Sequence, residues 1–150
     1  MKTILSLVGI LSSVVVVGCS SLQLQPADFS WASEEVIDIS ANKTIDAKRY
    51  SVLFNVSAML EKEFSGDIQV GSTTSIIRLI RDKAGFYFIT APNFKNVYVF
   101  KQGEGSLILT NTINISKDIG MPDPKFNQKD SYLELINGTQ KIKLTFNGIQ

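Results

Sequence analysis

One cysteine, Cys19, and no histidine set the chemical repertoire of this 150-residue chain. Without imidazole it lacks the commonest general base, the usual zinc ligand and every Ser–His or Cys–His arrangement. Catalysis would fall to carboxylates, lysine, serine or tyrosine, and the carboxylates are poorly disposed for it. Glu34 and Glu35 are adjacent, so they diverge on either a strand or a helix. Glu61 and Glu63 flank Lys62 in a polar patch. Asp118, Asp123 and Asp130 share a stretch with Gly120, Pro122 and Pro124, at a spacing that matches no calcium loop, and read as surface turn residues. Gly103-Glu104-Gly105 lacks the third glycine and the Lys-Ser/Thr pair of a phosphate loop and reads as a hairpin turn. No catalytic residue, metal site or cofactor is assigned.

The setting of Cys19 is more specific. Lys2 precedes an uncharged run, residues 4–17, too short to span a bilayer comfortably, and Val16-Val17-Gly18-Cys19 closes it. These four residues resemble the lipobox of bacterial lipoprotein precursors: an aliphatic residue, a small or aliphatic one, Gly or Ala, then the modified cysteine. The resemblance implies that residues 1–18 are a signal peptide cut after Gly18. It also implies that Cys19 takes a thioether-linked diacylglycerol and an acyl group on its new amine. A lone cysteine suits this reading, because it cannot form an internal disulfide and acylation removes the reactive thiol. Two acyl chains hold a protein firmly where one holds it marginally, so the membrane becomes a partner without a transmembrane helix. In Gram-negative lipoproteins Asp after the cysteine signals inner-membrane retention. Ser20 therefore fits the periplasmic face of the outer membrane, if the source is Gram-negative.

Cleavage removes Lys2 and leaves fourteen basic residues against fourteen acidic ones. A neutral chain without a Lys/Arg cluster gives no electrostatic case for nucleic acid or for a polybasic grip on anionic lipid. The acyl chains would anchor alone. Residues 19–28 form a lipidated tether; residues 20–26, polar and rich in Ser and Gln, would when extended hold a body about 20 Å from the headgroups. Residues 29–150 suffice for one β-rich domain with a real core.

Period-two patterns dominate that domain. Ile142, Leu144 and Phe146 alternate with Lys141, Lys143 and Thr145, as a half-buried strand requires. Leu107, Leu109, Ile113 and Ile115 share the odd face of another run. Asn137-Gly138 predicts a type I′ hairpin turn, with Ile136 opposite Thr139 and Glu134 opposite Lys141. Residues 75–81 and 86–90 flank a loop ending in Gly85; residues 96–101 and 106–115 follow the turns at Ala91-Pro92-Asn93 and Gly103-Glu104-Gly105. These central runs are apolar on both faces, which places them inside a sheet covered on both sides. Residues 50–56 predict a further strand, residues 34–39 a weaker one, and residues 57–64 a short helix rich in good formers. Residues 117–130 read as a loop. The predicted fold is mostly β: an antiparallel meander or a small β-sandwich or curled sheet, with one short helix.

The aromatic residues of the central runs have two readings. Alternate members share a face, so one layer can present a hydrophobic or sugar-stacking surface, with Tyr87, Phe94, Tyr98 and Phe100 as its candidates. Alternatively both faces are core, one beneath the opposing layer and one beneath the helix, which is the usual fate of strand aromatics. The expected function is a lipid-anchored envelope protein with a non-catalytic role in binding, assembly or protection, its partner being the membrane and another envelope protein. The alternatives are a small envelope hydrolase built on carboxylates or a Ser/Lys pair, and a membrane-tethered inhibitor or exclusion factor.

Overall fold

Antiparallel strands joined by short turns account for most of the chain after residue 34. The computed structural model describes residues 34–64 and 74–150. The expected signal peptide, Gly18, Cys19 and the 19–28 tether lie outside them. Strands β1 (Glu35–Asp38), β2 (Thr44–Ala47) and β3 (Val52–Asn55) precede helix α1 (Ser57–Phe64). There follow β4 (Ile76–Arg81), β5 (Phe86–Thr90), β6 (Asn96–Gln102), β7 (Leu107–Asn114), β8 (Pro124–Gln128), β9 (Leu133–Asn137), β10 (Gln140–Thr145) and β11 (Gly148–Ile149). They form a five-stranded sheet ordered β1-β4-β5-β6-β7, a four-stranded sheet ordered β11-β10-β9-β8, and the β2–β3 hairpin.

The five-stranded sheet is the middle layer, which explains why its central strands are apolar on both faces. Register puts Ile80, Phe88 and Val99 side by side on one face, and Leu79, Ile89 and Tyr98 on the other; all six are buried. The first face lies under the four-stranded sheet, where Phe86 stacks on Phe146 with ring centroids 4.4 Å apart. The second lies under the β2–β3 hairpin and α1, where Tyr50 meets Tyr87 edge-on at 5.7 Å. Ile45, Ala47 and Val56 face down from the hairpin, and Met59 and Leu60 from the helix, into one continuous core. Asn55 starts the helix: its Oδ1 accepts the Ser57 N–H at 2.8 Å, one of the donors a helix start leaves over.

Three local expectations are corrected. Asn137 pairs with Gln140, so the two-residue loop is Gly138-Thr139 rather than Asn137-Gly138. Gly138 has φ +60° and Thr139 is not among the positive-φ residues, which is the II′ pattern with glycine first. Each strand advances by one residue, and because the side-chain period is two, the faces are preserved. Leu133 and Leu135 still lie with Leu144 and Ile142, while Glu134 faces Lys143 instead of Lys141.

The second correction concerns β7. Val99 pairs with Asn111 and Phe100 with Leu109, leaving Thr110 as a bulge whose hydroxyl donates to Val99 O at 3.0 Å. One inserted residue reverses the alternation. Leu107 and Leu109 therefore share the face of Phe100, and Ile113 lies on the opposite face beside Val97. Third, residues 117–130 are not all loop. Met121 is tied by backbone bonds to Asn93 (2.7 Å) and Phe94 (2.8 Å), and Pro124–Gln128 forms edge strand β8. Proline at the first position of an edge strand costs no ladder bond.

Candidate functional site

The titratable residues singled out in the sequence are dispersed over the fold. Glu34 binds the guanidinium of buried Arg78 and accepts the Phe126 N–H at 2.8 Å. Asp123 accepts from Arg78 at 2.7 Å and pairs with Lys125 at 2.8 Å; the Lys125 ammonium is the main reason its carboxyl is held below the usual range. Asp130 pairs with Lys83 at 2.6 Å, which lowers its pKa in the same way. Asp118 and Glu61 are exposed. Glu63, at the end of α1, accepts three hydrogen bonds of 2.8 Å, from Lys95 N, Asn96 Nδ2 and the Tyr98 hydroxyl. These carboxylates join elements to one another, and among the described residues no group of three or more could hold a metal ion.

Of the four aromatic candidates, Tyr87, Phe94 and Tyr98 are at most 3% exposed, so they do not form an open surface. The cover is physical: Phe64 of α1 packs edge-on against Phe94, which in turn packs against Tyr98. Burial, reinforced by its hydrogen bond to Glu63, pushes the Tyr98 hydroxyl pKa well above the ordinary tyrosine value and keeps it neutral. Phe100 differs. It is half-buried and lines a cleft of about 540 Å³.

This cleft opens where the upper layer, the β2–β3 hairpin with α1, ends. One wall is the outer edge of β3, with Leu53 and Asn55; Ala58 and Met59 of α1 close one end. Ile89 and Phe100 of the middle sheet form the floor, and Gln102, Ser106 and Leu107 stand opposite, around the turn joining β6 to β7. The bulge at Thr110 matters here, since it is what turns Leu107 to the Phe100 side of the sheet. Among the described residues, no Asp, Glu, Lys or Arg lines the cleft. Its volume is within the usual range for small-ligand sites, and its mixture of apolar walls with a few amide and hydroxyl groups is typical of them. Chemically it can desolvate and orient an uncharged ligand, and its described lining residues include no carboxylate or amine for proton transfer.

Of the cleft residues, the sequence pointed only to Phe100. One readable signal was Leu53. Val52, Phe54 and Val56 face the core by alternation, which leaves Leu53 as a large apolar side chain on the outward face, 71% exposed. No family model matches this chain, and comparison with curated proteins and with solved structures finds no match either.

Proposed function

We propose that this chain is an envelope lipoprotein, held to the membrane by acyl groups on Cys19, whose β domain acts by binding rather than by catalysis. In a Gram-negative source it would stand on the periplasmic face of the outer membrane, in an assembly or protective role beside another envelope protein. Support for the anchor comes from Val16-Val17-Gly18-Cys19 and from the absence of any other cysteine. Among the described residues no helix is long and apolar enough to cross a membrane. The observation that carries the binding role is the cleft beside Phe100, concave, apolar-walled and without a charged side chain among its described residues.

Replacement of Cys19 tests the reading. The wild-type chain should fractionate with membranes and need detergent for release, whereas Cys19→Ala should leave the domain in the soluble fraction. Wild-type protein found free in solution would overturn the anchor.

A further inference from the structure

We infer that the cleft takes an uncharged, extended polypeptide segment of a partner protein, added as a third strand beside β3; this rests on the binding role just proposed and names its ligand. The hydrogen-bond pattern of the hairpin supplies the first reason. Val56 N donates to Lys43 O at 2.9 Å, while both backbone groups of Thr44 turn away from β3 to Ser40. Bonded and non-bonded pairs alternate along an antiparallel ladder. Asn55, opposite Thr44, and Leu53, two residues back, therefore direct their N–H and C=O groups away from β2. Both residues line the cleft, so four backbone groups face the place where a neighbouring strand would lie, about 4.8 Å away.

Charge supplies the second reason. In a chain of which 19% is charged, the described residues of the lining carry no formal charge, so a charged segment would lose its hydration there without a counter-charge from them. An acyl chain meets the apolar floor equally well, but it would strip water from the Leu53 and Asn55 backbone without replacing the hydrogen bonds. A peptide replaces them. Strand addition also uses alternation: one set of side chains would drop onto Phe100, Ile89 and Met59, and the other would face solvent beside Leu53.

Amide hydrogen exchange of the mature full-length chain in phosphatidylcholine nanodiscs tests this. The probe is an end-capped seven-residue peptide of alternating serine and valine. Exchange at Leu53 and Asn55 should slow about tenfold or more, because a ladder hydrogen bond protects an amide. The same peptide N-methylated at alternate residues should have no effect. Ser106→Lys, an exposed change that places a charge in the lining, should weaken peptide binding about tenfold without altering thermal unfolding. Equal protection by palmitate would make this an acyl-chain site and overturn the inference. So would protection already present without probe, which would mean that the chain's own residues or a second copy fill the edge. No protection by the peptide overturns it too. Failure at Leu53 with Cys19 acylated removes strand addition and leaves the anchored reading; a free Cys19 thiol with Leu53 protected does the reverse.

Discussion

At the scale of single residues, the guanidinium of Arg78 shows how charge is used in this domain. Arg78 is 8% exposed and lies on the face of the middle sheet that the four-stranded sheet covers, and its guanidinium is held by Glu34 and Asp123. Removing Glu34 would leave a buried cation supported only by a half-exposed carboxylate, and would also strip the Phe126 N–H of its acceptor. Glu34→Ala should therefore lower the unfolding free energy by about 2–4 kcal/mol in chemical denaturation. A change below about 0.5 kcal/mol would show that the pair is idle. Asp82 is the opposite case. Burial raises its carboxyl pKa, against hydrogen bonds from the Phe86, Ala84 and Gly85 backbone that lower it. A raised folded pKa means that the ionised form costs stability at neutral pH; the cost fades as pH falls through the raised folded pKa and is gone below the ordinary aspartate value. Asp82→Asn keeps an oxygen for the Phe86 N–H, so it should raise the melting temperature at pH 7 and have little effect near pH 3. A lower melting temperature at pH 7 would contradict this. Such pairings were illegible in the sequence. Glu34 looked like half of a divergent acidic pair, and nothing local shows that its partner lies 44 residues further on, buried beneath a second sheet.

Turns and strands carry the next level of specification, and here the sequence was more informative. Helix α1 occupies the predicted residues 57–64, and the strands predicted on period-two patterns are present, with ends moved by a residue or two. What failed was detail that alternation does not encode. A one-residue bulge at Thr110 reverses faces without any glycine or proline to announce it, and β8 was hidden because Pro122 and Pro124 read as loop. The β9–β10 turn gives a direct check on the corrected register. Gly138 holds a left-handed φ, whereas the Asn137 side-chain oxygen is buried without a partner. Gly138→Ala should cost about 1 kcal/mol and Asn137→Ala less than about 0.5 kcal/mol. The reverse order would favour the type I′ turn instead. Gly120 tests the seam between the β7–β8 connection and the Ala91–Phe94 turn. A Cβ there would lie 1.9 Å from Asn93 O, so Gly120→Ala forces the two backbones apart. It should destabilise by about 3 kcal/mol or more, with chemical-shift changes centred on Asn93 and Met121. Full stability with unmoved shifts would show that the seam is looser than described.

Across the whole molecule, the proposed binding role rests on a mismatch between layers. Five strands form the middle, but among the described residues the upper layer has only two strands and one helix, and the cleft lies where that cover stops. The two-faced apolar strands, Phe86 with Phe88 and Tyr87 with Ile89, showed in advance that something must cover each face. They could not show how wide each cover would be, because width depends on which strands pair at long range. The same limit explains why Tyr87, Phe94 and Tyr98 stood as surface candidates in the sequence and lie buried in the fold. For the proposed binding role the domain needs only to be placed, and acyl chains on Cys19 would place it without drawing on its surface charge. Intact-mass measurement of the mature protein, purified from its native membranes, tests that claim most directly. The prediction is a chain that begins at Cys19 and is heavier than residues 19–150 by a diacylglyceryl group and an N-linked acyl chain. A chain with an unmodified Cys19 thiol and Gly18 still attached would contradict it.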